Sequence, residues 1–223
     1  CKCIDRSSNG LSEIYKGGEI MKVTGRVWLF GDEINTDLIF PHSAFRADPD
    51  EQCRLCMSDN RPGWSSAVEK GDIIIAGKNF GTGSSRPGAA VLKRLGIAGM
   101  VAESYNGLFF RNCIGYGFAA LTVPDVTSLF HEGERAEIDY GTGVITNLNT
   151  GKCLMGTKLA KEMLNILEAG GIEGVLKKDI DFHEKIFMMA NNKKLYQLIT
   201  SLWEQVHRFR VTYVSNYDAS LSL

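Results

Sequence analysis

Asp72-Ile73-Ile74-Ile75-Ala76-Gly77-Lys78-Asn79-Phe80-Gly81-Thr82-Gly83-Ser84-Ser85-Arg86-Pro87 decides how this chain reads. The apolar run Ile73–Ala76 has the length and β-branching of a buried strand. The run Ala89–Leu95 that leaves the segment has helical character. Strand, glycine-rich turn and helix start is the layout that turns backbone N–H groups toward an anion. Two hydroxyls and a guanidinium sit at the tip, so the expected ligand carries carboxylate or phosphate.

Upstream, Lys22–Phe30 alternates like a strand, and Gly31-Asp32-Glu33-Ile34-Asn35-Thr36-Asp37 is a polar loop rich in turn formers. Residues 50–58 read as a short helix, broken at Asn60-Arg61-Pro62-Gly63. Downstream, strands are expected at 99–104 and 119–123, with a helix opening at Leu108 between them. Glu134–Tyr140 and Val144–Thr146 flank Gly141-Thr142-Gly143 as a hairpin. A helix over 157–168 carries Leu159, Met163, Leu164 and Leu167. Alternating strands and helices place the chain in the α/β class.

Composition narrows the function. The 223 residues are 44% hydrophobic and 23% charged, with a net charge of -1. No basic stripe suggests nucleic acid, and no apolar stretch approaches the ~20 residues of a membrane helix. The six cysteines form no disulfide framework, which points to reduced thiols and a cytoplasmic protein. Cys53-x-x-Cys56 is one pair, too few for a closed zinc site. Residues 1–20 lack periodicity and an apolar signal core. Lys16-Gly17-Gly18-Glu19 is what purine-rich codons encode just before Met21. Residues 1–20 are therefore expected to be translated leader, with a disordered arm as the alternative.

Gly31–Pro41 resembles the opening motif of the aconitase-type swivel domain, and Gly81–Arg86 resembles its active-site motif. Ser104–Asn112 and Glu168–Ile172 resemble two further blocks. Order and spacing over residues 21–178 are similar to the stand-alone small subunits of 3-isopropylmalate dehydratase and their relatives. The resemblance implies a β/β/α swivel domain and a hydro-lyase that isomerises a hydroxy diacid by dehydration and rehydration, in leucine biosynthesis. It places a 4Fe-4S cluster on a partner large subunit, with no metal in this chain, which is then inactive alone.

Within that resemblance Ser84 is the base, acting as an alkoxide held among N–H donors and positive charge. Arg86 binds a substrate carboxylate through its planar fork. Gly83 and Ser85 belong to the substrate site, Ser85 either capping the next helix or donating to substrate. Arg46 falls in the substrate-recognition loop. Asp37 matches an acid that orients groups at the subunit junction; as a residue, it equally reads as a turn former.

Three positions depart from the family pattern. Pro87 replaces an acid, Gly107 stands where arginine is common, and His42-Ser43-Ala44-Phe45 replaces a tyrosine-leucine pair. They leave a dimethylmalate, homoaconitate-type or other diacid open as substrate. After residue 178 the composition changes. Leu195, Leu198, Ile199, Leu202, Trp203 and Val206 mark an amphipathic helix, and Phe182, Ile186 and Met189 mark one before it. Residues 179–223 resemble a fragment of the helical ligand domain of GntR-type regulators. Asp179 and His183 would there be metal ligands, but two ligands make a weak site. A diacid-binding sensor or a fusion product without catalysis is the alternative to an enzyme subunit.

Overall fold

The computed structural model describes residues 22–83, 86–189, 201, 202 and 205. The leader reading of residues 1–20 and the helix reading of 195–206 fall outside them, save Leu202 and its two described neighbours. The chain divides into two units, Cys1–Val175 and Leu176–Leu223.

The first unit opens on β1 (Lys22–Phe30), α1 (Thr36–Ile39), a 3-10 turn (His42–Arg46), α2 (Pro49–Leu55) and α3 (Trp64–Ala67). Then come β2 (Ile73–Ala76), α4 (Gly88–Leu95), β3 (Gly99–Ala102), α5 (Gly107–Gly115) and β4 (Ala120–Thr122). A second 3-10 turn (Val126–Leu129) leads to β5 (Arg135–Asp139), β6 (Val144–Asn147), β7 (Cys153–Met155) and α6 (Lys161–Glu168). α7 spans Ile172–Met189, unbroken at the compositional change after residue 178.

One seven-stranded sheet has the order β4-β3-β2-β1-β5-β6-β7. β1 through β4 are parallel neighbours, whereas β5 and β6 join antiparallel on the other side of β1 and β7 continues that side. β1 divides its length between the halves: Val27–Phe30 pair with β2, and Lys22–Arg26 pair with β5. Ile73 and Ile75 face one core layer, with Val101, Leu121 and Ile138. Ile74 and Ala76 face the other, with Met100, Phe109, Leu92 and Phe40. Side-chain alternation along β2 thus feeds both layers, which is why it reads as a continuous apolar run.

The α/β assignment, β1, β2, α4 and the hairpin agree with the sequence reading. Other bounds differ for physical reasons. α2 ends at Leu55, not 58, because Cys56 is extended and the Met57 N–H donates to the Ile39 carbonyl at 3.1 Å. That turn buries Cys56 and Met57 completely. The helix expected from 157 starts at Lys161, since the Thr157 N–H donates to the Thr122 carbonyl at 2.9 Å and holds the chain extended. Leu159 is buried ahead of the helix rather than on it. β7 was not expected: three residues with little burial give no periodicity, and the free edge of β6 makes them a strand.

Candidate active site

Three loops leave the carboxyl ends of β1, β2 and β3 on the same edge of the sheet, where open parallel sheets bind ligands. Polar side chains of the first loop fasten it to the second. Asp32 Oδ1 accepts from the Lys78 N–H at 2.7 Å, and Glu33 Oε2 accepts from Asn79 Nδ2 at 2.8 Å. The Gly81 N–H donates to the Ile34 carbonyl at 2.8 Å, and the Thr36 N–H to the Thr82 carbonyl at 2.7 Å. The third loop joins through the Phe80 N–H to the Ser104 carbonyl and the Asn106 N–H to the Phe80 carbonyl. Ser104 Oγ accepts from the Asn79 N–H at 2.8 Å.

The glycines of the turn are required. Gly81 has φ +83°, and a Cβ there would meet the Phe109 ring at 2.2 Å. Gly83 has φ +94°, and its Cβ would stand 2.4 Å from Asn35 Oδ1. Any side chain would be both strained and displaced. Asn35 also caps α1, its Oδ1 accepting from the Asp37 N–H at 2.9 Å. Thr36, Gly81, Gly83, Asn106, Phe109 and Asn112 border a small, shallow cleft. Asn106 caps α5, accepting from the Leu108 N–H at 3.0 Å, so the start of that helix lies beside the cleft. At Gly107 a side chain would meet nothing within 4 Å.

Ser84 and Ser85 lie outside the described residues; Gly83 and Arg86 bracket them. α4 begins at Gly88 with Pro87 in the cap position and no side-chain cap, the Pro87 carbonyl accepting from the Val91 N–H at 3.1 Å. Proline lacks an N–H and suits a helix start.

Arg86 is mostly buried, at 14% side-chain exposure, and firmly held. Its Nε lies 2.5 Å from Asp37 Oδ1. Its Nη1 donates to the Phe40 carbonyl at 2.9 Å. The Phe45 ring covers its guanidinium carbon at 4.7 Å. Asp37, Gly83 and Arg86 are thus brought to one loop cluster. Arg46 ends the first 3-10 turn and is exposed; its neighbour Phe45 is the residue that meets Arg86. Asn35, Asn106 and Phe109 were not singled out from the sequence, and Phe45 was named only as part of the departing stretch His42–Phe45. Only the cap pattern of Asn35 and Asn106 gave any signal, and such caps are common.

The chain shares 40% identity over 163 residues with the 3-isopropylmalate dehydratase small subunit of Aquifex aeolicus, which is 72% of this chain and 97% of that protein. It belongs to the family of 3-isopropylmalate dehydratase small subunits. A second member, from Thermotoga maritima, is 41% identical over 98% of its length and 72% of this chain. The isopropylmalate/citramalate isomerase small subunit of Methanocaldococcus jannaschii is 41% identical over 94% of its length and 70% of this chain. A crystal structure of 3-isopropylmalate dehydratase from that organism matches at TM-score 0.69 and 34% identity, covering 74% of this chain and 99% of that one. The aconitase C-terminal domain family matches residues 46–126, and the FCD domain family matches residues 149–222, in accord with the resemblance read in the tail.

The family's cofactor was expected on the other subunit; of the described cysteines, Cys56 and Cys113 are buried. Burial pushes the Cys56 and Cys113 thiols up, so they stay protonated. Cys53 is raised by the same cause, and Cys153 is exposed on β7. Among the described residues no three His, Cys, Asp or Glu side chains gather to hold a metal. Asp179 lies on α7; of the His183 side chain nothing is described. No helix among the described residues is long and apolar enough to cross a membrane.

Proposed function

We propose that this chain is the small subunit of an iron–sulfur hydro-lyase that interconverts 2-isopropylmalate and 3-isopropylmalate by dehydration and rehydration, in leucine biosynthesis. The observation that carries this reading is identity near 40% across almost the whole length of small subunits bearing that activity in their names. The loop cluster supports it, because a glycine turn, a helix start and a held arginine suit a dicarboxylate.

The reaction breaks a C–H bond beside a carboxylate and the C–O bond of the neighbouring carbon, and forms C=C. Water then adds back with hydrogen and hydroxyl exchanged. We assign Ser84 as the base that takes the proton and returns it. Its alkoxide needs N–H donors and positive charge, which the turn and Arg86 are suited to give. Arg86 holds a substrate carboxylate, with Gly83, Ser85 and Arg46 at the substrate, and Asp37 supports Arg86. The 4Fe-4S cluster expected on the large subunit supplies the Lewis acid that makes hydroxide a tolerable leaving group. The working protein is then a cytoplasmic heterodimer with that subunit. Residues 21–178 form the swivel domain, and 179–223 are an appended helical segment whose removal leaves turnover unchanged.

The test is reconstitution with the anaerobically prepared large subunit and 3-isopropylmalate. Turnover that needs both chains supports the reading; a complex without turnover on either isopropylmalate overturns the substrate. A second substrate is favoured by the relative named for citramalate as well. Assaying citramalate beside isopropylmalate, by the ratio of kcat/KM values, decides between them.

A further inference from the structure

Asp37, Phe40 and Phe45 are among the residues that hold Arg86, and Phe45 is the unexpected one. The Arg86 Nε meets Asp37 Oδ1, its Nη1 meets the Phe40 carbonyl, and its guanidinium carbon lies over the Phe45 ring, 4.7 Å from the centroid. Phe45 is itself braced. Its ring stands edge-on to Phe40 at 5.5 Å between centroids and to His42 at 5.4 Å. Yet it remains 52% exposed, which is unusual for a phenylalanine whose only task is core packing. Phe40 is buried and anchors the segment from below. The two hydrogen-bonding contacts hold the guanidinium at its nitrogens, and the ring adds a contact at its carbon. The negative face of the ring attracts the cation.

From this geometry we propose that Phe45 is a positioning residue for the reaction: the guanidinium carbon of Arg86 lies over its ring, and that contact helps hold the group where it meets the substrate carboxylate. The claim rests on Arg86 binding that carboxylate. A fork is useful only when its plane matches the carboxylate, so loss of the ring weakens binding while the chemical step keeps its base. The π face is the acting feature, not apolarity. Trp serves at least as well as Phe, and Leu, apolar but without a π face, does not.

The experiment is steady-state kinetics of the complete two-subunit enzyme with 3-isopropylmalate, for Phe45→Trp, Phe45→Leu and Phe45→Ala, with Arg86→Lys as reference. Phe45→Leu and Phe45→Ala are expected to raise KM roughly two- to thirtyfold with kcat within about threefold, and Phe45→Trp to match the parent. Arg86→Lys, which keeps charge and loses the fork, raises KM more. If Phe45→Leu equals the parent while Arg86→Lys is impaired, the proposal is overturned and Arg86 stands. If Arg86→Lys binds substrate as well as the parent, the carboxylate role of Arg86 fails and Phe45 falls with it. The full-length chain alone gives a second readout, the proton shift of Arg86 Nε–H. A ring-current displacement lost in Phe45→Leu and kept in Phe45→Trp supports the stacking, and an unmoved signal refutes it.

Discussion

The two halves of the sheet bury themselves differently. β2 and β3 are buried at every position, with helices α4 and α5 in their connections. β5 and β6 alternate, and they join by a short turn closed through Asp139, whose Oδ1 accepts from the Gly141 and Thr142 N–H groups at 3.0 Å each. Parallel strands must be joined by crossovers, so their carboxyl ends release long loops on one edge. Antiparallel strands consume their ends in local turns. The parallel half therefore owns the loops that can hold a ligand, and the antiparallel half contributes sheet and core alone.

Four measurements would break or sharpen that contrast. The largest effect is expected at the parallel edge: Ser84→Ala should lower kcat of the reconstituted enzyme by about 10³-fold or more, with the melting temperature unchanged. A variant retaining a tenth of the activity would remove Ser84 as base. Next, Ile74→Ala empties a fully buried position between the helices and β2. Urea unfolding should show a loss of about 3–4 kcal/mol.

A smaller stability effect with no catalytic one is expected in the antiparallel half. The buried Asn147 donates from Nδ2 to the Leu129 carbonyl at 2.8 Å and to Glu134 Oε2 at 2.7 Å, and its Oδ1 accepts from the Asn149 and Thr150 N–H groups. Asn147→Ala should cost about 2 kcal/mol and leave kcat and KM alone. A changed KM would show that this half reaches the substrate.

The smallest effect is a pH dependence. Hydrogen bonds from Arg61 hold the Glu132 carboxyl below its usual range. A depressed folded value stabilises above the unfolded value of about 4.3, and that contribution is lost as pH falls through the folded one. Glu132 is 37% exposed, so the pair is worth at most about 1 kcal/mol. The stability gap between the parent and Glu132→Gln should narrow below about pH 4; a gap constant from pH 6 to pH 3 would show that the ion pair contributes nothing.

Much of the parallel half was legible in the sequence because its burial is complete. Ile73–Ala76 has no polar break, and Gly88–Leu95 follows helical spacing. β7 was not legible, since Cys153-Leu154-Met155 is a strand only because β6 offers an unpaired edge. In the site, glycine, hydroxyl and arginine announced themselves by type and spacing. Asn35 and Phe45 did not. Asn35 matters because Gly83 arrives beside its Oδ1, and Phe45 matters because Arg86 arrives beneath its ring. Neither approach has a local signature.

The chain's own order of residues determined the α/β class, the glycine turn after β2, the start of α4 and the family, because backbone conformation and apolar periodicity are local properties. The tertiary structure alone decided that the 31–37 loop and the 77–83 loop are laced together, that Asp37 and Phe40 grip Arg86, and that Phe45 rather than Arg46 covers it. Those pairings join segments distant in the chain, and only the parallel register of β1, β2 and β3 brings their loops to one edge.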